Sequence, residues 1–388
     1  MARVLHLLSR FDIGGTERQL VERLRRHPRG FEPLLACCEL YGKFLPPIRA
    51  LGIEPMVVPL RGLAHPSAAL AVARLAWLIR RYKVDLVHTN DFAMSVFGLP
   101  AARMAGARIV VNRVDLGHLR PNFGVAHRRL EAFSARHADI VCANAEAVRQ
   151  VCVADEGCDP DRVMVVRNGM DVPAFDELAA KPADPLPVET GDVLVAVIGN
   201  LWPVKGHRTL LDAAFRLRDR HPRLRFLCAG EGVEKPYLEQ RIRELGLERT
   251  VLLLGHRTDV PALLARADAF ALCSSAEGLS NAIMEAMAAR LPIVATRVGG
   301  NAELLEEGRG LLVPYGDPAA LADALEKILS NRAHAREMGR RARAFVEAEL
   351  SLDRMQSAHE ELYRRALENI DGDMMRARRR RVIVSPWC

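Results

Sequence analysis

Residues 269–296 carry the pattern that decides the fold, with the sequence AFALCSSAEGLSNAIMEAMAARLPIVAT. The apolar run Ala269–Cys273 predicts a buried strand, and Asn281–Ala289 has the pattern of a helix. A second apolar run, Ile293–Thr296, predicts another buried strand. A strand, a helix and a strand in this order predict neighbouring parallel strands that are covered by helices.

Short apolar runs and helical patterns alternate in the same way along the rest of the chain. Further strands are predicted at Val4–Leu8, Leu34–Cys38, Pro55–Pro59, Leu86–His88, Ile109–Asn112, Ile140–Ala143, Val193–Ile198, Leu224–Ala229 and Val251–Leu254. Further helices are predicted at Thr16–Arg26, Ala69–Tyr82, Ala126–His137, Thr209–Arg220, Lys235–Leu245, Val260–Ala265, Pro318–Ser330, Ala333–Ala348 and Leu352–Ile370.

The alternation predicts an α/β fold of two doubly wound, Rossmann-like domains that face a central cleft. Residues 1–180 form the expected N-terminal domain, and the proline-rich segment 181–191 is the expected linker. Residues 192–350 form the expected C-terminal domain. Residues 351–370 predict a helix that crosses back to the N-terminal domain, and 371–388 a basic tail. Ligands of such sheets bind at the carboxyl ends of the strands.

The 388 residues carry a net charge of +7, unevenly distributed along the chain. Residues 1–150 hold 22 Lys and Arg against 12 Asp and Glu, whereas residues 151–190 hold 3 against 9. A basic N-terminal half indicates an anionic partner, such as a membrane surface, a lipid phosphate or a nucleic acid. A solvated surface in an arginine-rich protein is the alternative. Aromatic residues make up only 5%, which argues against nucleic acid as the partner.

We expect a cytoplasmic location, with peripheral contact to the inner face of the plasma membrane. The sequence has neither a run long enough for a transmembrane helix nor a signal-peptide pattern. The eight cysteines lack a CxxC pair, so free thiols are expected. The arginines of the tail stand next to Trp387, a combination that fits an anionic membrane. A solvated tail is the alternative.

Two carboxylates stand eight residues apart in the opening segment. Glu277 lies in the loop after a strand, and Glu285 lies about one turn into the following helix. Between them the helix N-terminus near Ser280 presents unpaired backbone N–H groups that suit a phosphate. Carboxylates on either side suit the hydroxyl groups of a sugar and a ribose. On spacing alone, an ordinary helix cap between two solvated glutamates is the favoured interpretation.

Two other glycine-containing loops follow predicted strands. The segment Val197–His207 leaves a strand at Gly199 and places Lys205 near a helix start, where it could neutralise a leaving diphosphate. The alternative is a surface lysine. Gly14 and Gly15 separate the first strand from the first helix and permit close approach by another molecule. The alternative is a tight turn, since neither GxGxxG nor a P-loop is present.

Together these segments resemble a retaining GT-B glycosyltransferase of family 4. The pair Glu277-x7-Glu285 is similar to the EX7E signature of that family, and Gly199–Gly206 resembles its G-R-L-x-x-x-K-G segment. Arg167–Asp171 resembles the turn that precedes its linker, Gly14–Gly15 its acceptor-side loop, and Gly299–Gly300 a further family turn. The resemblance covers nearly the whole chain and is weaker over the N-terminal half.

The resemblance implies that residues 1–180 bind the acceptor and residues 192–350 bind the nucleotide sugar. It also implies a role for each matching residue. Glu285 would bind the ribose, Glu277 would bind the transferred sugar, and Lys205 with the backbone after Glu277 would hold the diphosphate. The implied donor-binding residues are Gly15, Asn200, Lys205, His256, Glu277, Gly278, Leu279, Ser280, Asn281 and Glu285. The implied reaction proceeds with retention and needs no metal and no cofactor besides the nucleotide-diphosphate sugar.

Two positions depart from the family pattern. Asn200 stands where the family has an arginine for the diphosphate, and Val114 stands at the usual histidine position. The residue that replaces this histidine is Asp115, Arg113 or His118, and the catalytic set we expect is Asp115 together with Glu277 and Lys205. The acceptor-side residues would be Gly14, Gly15, Arg113 and His118. An ordinary loop histidine is the alternative for His118.

The sequence therefore predicts a hexosyltransferase-type glycosyltransferase that acts on a glycan or a lipid-linked acceptor in polysaccharide or glycolipid synthesis. The expected partners are a nucleotide sugar, that acceptor and an anionic membrane surface, without nucleic acid. The alternative is a non-catalytic nucleotide-sugar or glycan-binding protein on the same fold.

Overall fold

The structure, a computed structural model, divides into two compact units. The first unit contains the described residues up to 169 together with the C-terminal segment from Leu352. The second unit contains residues 170–351. The structure describes residues 1–12, 14–60, 62, 65, 67–117 and 124–382, with side chains up to residue 368.

The first unit is built on a parallel sheet of seven strands within the described residues. These strands are β1 (Ala2–Leu8), β2 (Phe31–Cys37), β3 (Met56–Val57), β4 (Leu86–Thr89), β5 (Arg108–Arg113), β6 (Ile140–Ala143) and β7 (Val163–Val165). Their spatial order is β3-β2-β1-β4-β5-β6-β7. The chain therefore runs outward from β1 in one direction and then outward from β4 in the other, which is the doubly wound topology.

Helices connect these strands and cover the sheet. They are α1 (Gly15–Arg25), α2 (Leu45–Ala50), α3 (Ser67–Arg81), α4 (Phe92–Ala105), α5 (Val125–His137) and α6 (Glu146–Gln150). A last helix of this unit, α15 (Leu352–Val382), follows the second unit in the sequence. Its residues Leu362, Tyr363 and Ala366 are buried in one cluster with sheet residues that include Val4 and Leu86. The C-terminal helix thus completes the core of the first unit.

The second unit repeats this plan with six parallel strands. They are β8 (Val193–Ile198), β9 (Leu224–Ala229), β10 (Val251–Gly255), β11 (Ala269–Leu272), β12 (Ile293–Thr296) and β13 (Leu311–Val313), in the order β10-β9-β8-β11-β12-β13. The helices are α7 (Val172–Ala179), α8 (His207–Arg218), α9 (Lys235–Glu244), α10 (Val260–Arg266), α11 (Asn281–Ala288), α12 (Asn301–Leu305), α13 (Pro318–Ser330) and α14 (Arg332–Glu349).

The boundary between the units differs from the one expected near residue 180. Helix α7 packs against α10 and α11, so it belongs to the second unit. The guanidinium of Arg343 donates to both carboxylate oxygens of Asp176, at 2.7 and 2.6 Å. In the expected linker 181–191, Leu186 and Val188 pack against an apolar cluster of the second unit. That segment is therefore a surface loop of the second unit, and the chain passes between units at residues 169–170 and 351–352.

The C-terminal helix runs further than the expected 351–370, and its backbone includes residues 371–382 of the expected basic tail. Residues 383–388 lie outside the described residues, and so do the side chains of the tail arginines. Among the described residues, no helix combines the length and the apolarity that a membrane span requires.

Candidate active site

Two loops meet at the point of the second sheet where the strand order reverses. The neighbours β8 and β11 are paired there, and the loops that follow them diverge, which makes this the ligand-binding edge of a doubly wound sheet. The backbone N–H of Ser275, after β11, donates to the carbonyl of Val204, after β8, at 2.8 Å. The Oγ1 of Thr296 donates to the carbonyl of Ser274 at 2.6 Å. The carboxyl ends of three strands are thereby fastened together.

Glu277 lies at the centre of this arrangement. Its Oε1 accepts from the Nζ of Lys205 at 2.6 Å and from the Oγ of Ser274 at 2.5 Å. The Glu277 side chain is 10% exposed and that of Lys205 is 25% exposed. A charged pair with this residual exposure is oriented by the protein and remains open to a small ligand. The structure thus brings together the two residues that the sequence selected as catalytic in this half of the chain.

The backbone of this loop leaves no room for a side chain on the neighbouring turn. Gly299 has φ +48°, and a Cβ there would lie 1.8 Å from the carbonyl oxygen of Glu277. The N–H of Gly300 donates to the carbonyl of Gly278 at 2.8 Å. The glycine pair that follows β12 therefore supports the loop that carries Glu277.

Helix α11 begins directly after this loop. Its N-cap is Ser280, whose Oγ accepts from the N–H of Ile283 at 3.4 Å. Glu285 lies one turn further and is buried, with 5% exposure. Leu279, in the loop before this helix, is also buried. The N-terminus of α11 therefore lies between the two carboxylates, as their spacing in the sequence indicates.

Glycines bring the loops after β8, β9 and β10 close together at the same edge of the sheet. The N–H of Gly230, after β9, donates to the carbonyl of Gly255, after β10, at 2.8 Å. A Cβ on Gly230 would lie 2.0 Å from the carbonyl oxygen of Gly199, after β8. His256 and Asn200 follow two of these glycines and are both exposed. Side chains at these positions therefore border the loops that carry Lys205.

Arg257 follows His256 and is the next positive charge to consider beside Asn200, which stands where the family pattern has an arginine. Its Nε and Nη2 donate to the two carboxylate oxygens of Asp259 at 2.7 and 2.6 Å. A further bond joins Nη2 to the carbonyl of Asp184 at 3.2 Å. The guanidinium is therefore committed to the folding of its own loop.

His207, which the sequence analysis did not select, is buried at the start of α8. Neither ring nitrogen has a hydrogen-bond partner among the residues that the structure describes. Burial, and to a smaller extent the charge of Lys205, lowers the pKa of His207 to about 4. A neutral ring beside Lys205 adds no second positive charge to the loop. The only signal in the sequence was its position directly after the lysine–glycine pair.

In the first unit, the corresponding switch point lies between β1 and β4. Gly14 is the N-cap of α1 and Gly15 its first residue. A Cβ on Gly14 would lie 2.2 Å from Oε2 of Glu17, so the side chain of Glu17 turns back over the helix N-terminus. Burial, with a contribution from Asp91 and Asp12, raises the pKa of Glu17 to about 7.

The other residues of the first unit that were expected at the site are Arg113, Asp115 and His118. Their surroundings differ. Arg113 is 2% exposed and forms ion pairs with Glu131 and Glu156 inside the unit. This differs from the expected acceptor-side role, because a charge neutralised in the interior is not presented to an acceptor. Asp115 is half-buried, and its Oδ1 accepts from the N–H of Gly117 at 2.9 Å. His118 lies outside the described residues.

Comparisons with known proteins agree with this geometry. Residues 192–331 match the family model described as Glycosyl transferases group 1, and residues 13–173 match the model of Glycosyltransferase Family 4. The chain is 34% identical over 308 residues to N-acetyl-alpha-D-glucosaminyl L-malate synthase of Bacillus anthracis, covering 77% of this chain and 80% of that relative. The chain belongs to glycosyltransferase family 4. It is a glycosyltransferase with the two-unit GT-B fold.

Two other similar proteins give the breadth of the match. The UDP-Gal:alpha-D-GlcNAc-diphosphoundecaprenol alpha-1,3-galactosyltransferase of Escherichia coli is 28% identical over 267 residues, covering 66% of this glycosyltransferase and 69% of that relative. The crystal structure of Anabaena HepE in complex with UDP and glucose aligns with a TM-score of 0.81 and 24% identity. It covers 93% of this chain and 99% of that one. At 24% identity, the match to HepE shows similarity of fold alone.

Proposed function

We propose that the enzyme transfers a hexosyl group, with retention of configuration, from a nucleoside diphosphate sugar to a glycan or lipid-linked acceptor. The observation that carries this proposal is the arrangement of Lys205, Ser274 and Glu277 beside the N-terminus of α11. It combines hydroxyl-accepting carboxylates with donors for an anion at the ligand-binding edge of the sheet. A nucleoside diphosphate sugar requires both.

In this proposal the two carboxylates take the two sugars of the donor. Glu277 accepts hydrogen bonds from the transferred hexose, because Ser274 and Lys205 hold its carboxylate in the loop before α11. Glu285, one turn into the helix, accepts from the ribose hydroxyls. His256, exposed at the end of the edge strand β10, contacts the base.

The diphosphate lies between the two sugars. Backbone N–H groups of Gly278 to Asn281 and the ammonium of Lys205 bind it, and Lys205 stabilises the charge that develops on the leaving diphosphate. These groups support a reaction without a metal ion. Asn200 contributes a neutral side chain where the family pattern has an arginine, so Lys205 carries a larger share of the electrostatic stabilisation.

The first unit supplies the acceptor side in this proposal. Gly15, at the start of α1, permits close approach of donor phosphate or acceptor, and Asp115 is the proposed carboxylate near the reacting sugar. The Escherichia coli relative acts on a diphosphoundecaprenol-linked sugar, as its name states, and this supports a lipid-linked acceptor. We therefore place the reaction in the cytoplasm, at the inner face of the plasma membrane. The basic N-terminal half is consistent with that location.

The test is a thermal-shift panel of nucleoside diphosphates, with and without EDTA, followed by a transfer assay with the matching nucleotide sugar. A ligand at a hundred times its Kd stabilises the folded protein by about 2.7 kcal/mol. We expect one diphosphate to give a shift that survives EDTA, and a product with the anomeric configuration of the donor. Inversion contradicts the retaining reaction, and dependence on a metal contradicts the metal-free site. Binding without turnover supports the non-catalytic alternative, which no relative named above favours.

A further inference from the structure

The outer face of α3 exposes apolar side chains that the core does not use. Leu70 is 70% exposed and Trp77 is 59% exposed. They stand seven residues apart, which places them on the same side of the helix two turns apart. The opposite side of α3, with Leu75 and Ile79, is buried. An exposed tryptophan and leucine on one stripe are costly in water unless a partner covers them.

The charged residues of α3 itself all have one sign. Between Glu54 and Asp85 the sequence contains no acidic residue. Arg74 lies between the two apolar residues on the exposed side, and Arg81 lies one turn after Trp77. Among the described residues, neither arginine has a carboxylate partner. The guanidinium of Arg81 lies 5.9 Å from the ring centroid of Tyr82.

Helix α5 repeats this combination. Phe133 is 48% exposed and Val125 is 56% exposed. The neighbouring Arg129 and Arg136 are also exposed. Helix α4 packs against both α3 and α5, and its last turn adds Met104, which is 51% exposed. Three adjacent helices therefore present apolar tips between arginines on one side of the first sheet.

We propose that this surface, which we call the α3–α5 face and define by Leu70, Arg74, Trp77, Arg81 and Phe133, docks the enzyme on an anionic phospholipid bilayer. Arginine side chains meet lipid phosphates while aromatic and aliphatic tips enter the headgroup region. The positive charge is complementary to such a surface, where each basic residue adds about fivefold to the partitioning. The inference deepens the peripheral location proposed above and does not depend on the donor chemistry.

The test is co-sedimentation of the full chain with two kinds of vesicle, phosphatidylcholine alone and equal parts phosphatidylcholine and phosphatidylglycerol. We expect binding to the second kind only. The double variant Arg74→Gln/Arg81→Gln should bind about 25-fold more weakly, since two charges are removed. The double variant Leu70→Ser/Trp77→Ser should also lose most binding.

Matched controls come from the second unit. Arg332 and Arg336 are exposed on α14, and Leu178 and Phe215 are 46% and 44% exposed. Replacing these two pairs by Gln and by Ser, respectively, should leave vesicle binding within about twofold of the unmodified enzyme, since they lie outside the α3–α5 face. All variants should keep the thermal shift given by the nucleoside diphosphate, which shows that they fold.

Three results overturn the inference. One is vesicle binding that is unchanged in both α3 variants and is lost when the arginines at 376 and 378–381 are replaced. Another is equal binding to the two kinds of vesicle, or to neither. The third is a loss of duplex-DNA binding in the α3 variants with vesicle binding unchanged. If no nucleoside diphosphate binds but the α3 variants still lose vesicle binding, the proposed donor site fails and the docking surface stands.

Discussion

The two units share a strand order and use their charged residues in opposite ways. In the second unit, Lys205 and Glu277 meet at the ligand-binding edge and stay partly exposed. In the first unit, Arg113 is enclosed with Glu131 and Glu156. The same topology therefore holds a partly exposed charged pair at the proposed donor site in one unit and a buried charged group inside the other. A charged residue near the end of a strand does not by itself identify a site; its exposure decides the role.

The sharpest way to break this comparison is the variant Arg113→Met. It leaves two buried carboxylates without their partner, and such a loss costs about 3–5 kcal/mol of the free energy of unfolding. Urea denaturation measures the loss. The control is Arg149→Met, which removes a half-exposed surface pair with Glu146 and should cost at most about 1 kcal/mol. A loss of similar size in both variants would show that Arg113 is not an internal brace.

Charge removal in the second unit should affect activity more than stability. We expect Lys205→Ala to lower the transfer rate by about 10²–10³-fold, because one donor to the developing negative charge is removed. The free energy of unfolding should fall by less than in Arg113→Met, since the Lys205 side chain is a quarter exposed and Ser274 still donates to the Glu277 carboxylate. Lys235→Ala, which removes another partly exposed lysine, is the control. A near-normal transfer rate for Lys205→Ala would remove this residue from the site.

A smaller loss of activity is expected when Ser274, which is proposed to position the Glu277 carboxylate, is replaced. Ser274→Ala removes one hydrogen bond to the Glu277 carboxylate, and bonds to charged groups contribute about 1.5–3 kcal/mol. We expect kcat/KM to fall by about tenfold or more in steady-state assays. Ser275→Ala removes a bond to the backbone carbonyl of Val204 instead, and it should change kcat/KM far less. Equal losses would mean that the loop as a whole, and not the carboxylate, was disturbed.

Lowering the pH should destabilise the first unit more than the second. The expected effect of each titrating group is the smallest of those considered. Burial, followed by the charge of Arg23, lowers the pKa of His359 to about 3 and that of His27 to about 4. His6 and His88 form a cluster of histidine rings with His27 and His359 in the first unit. Their pKa values are also lowered, again chiefly through burial. A histidine with a lowered pKa stabilises the fold above its unfolded pKa near 6.5, and this contribution disappears as the pH falls.

Each such histidine therefore lowers the free energy of unfolding by about 1.4 kcal/mol for each pH unit below about 6.5. As the pH is lowered from 6.5 to 4.5, the backbone amides of β1 and α15 should lose protection from hydrogen exchange at a higher pH than those of β8 and β11. The reason is that the histidine cluster lies in the first unit. The variant His359→Phe should reduce the pH dependence. A simultaneous rise in both units would contradict the expected difference.

Much of the fold could be predicted because buried parallel strands produce continuous apolar runs. Helix α4 was not predicted, since Gly98 and Pro100 interrupt its pattern. Gly98 is needed there because a Cβ would lie 2.9 Å from Cγ2 of Thr89. The unit boundary was misplaced because Asp176 is held by Arg343, 167 residues later, and a contact at that separation leaves no local pattern.

The sequence locates more of the proposed site in the second unit than in the first. Glu277, Ser280 and Glu285 lie in one continuous segment, so their spacing already fixes their relation to a helix N-terminus. Ser274 stood in the same segment, three residues before Glu277, and its hydroxyl could have been selected as a partner of that carboxylate. The partners of Arg113 lie 18 and 43 residues away in the chain, and only the tertiary structure reveals that they enclose it.

The return of the chain to the first unit at Leu352 has a consequence for biosynthesis. A ribosome makes the protein from the N-terminus, so residues 170–351 are complete while the first sheet still lacks α15. Until that helix emerges, the sheet residues that pack against Leu362 and Tyr363 stay uncovered. The second unit can therefore close first although it is encoded second. The nascent first unit exposes an apolar surface through most of its translation, which makes it a natural client for chaperones.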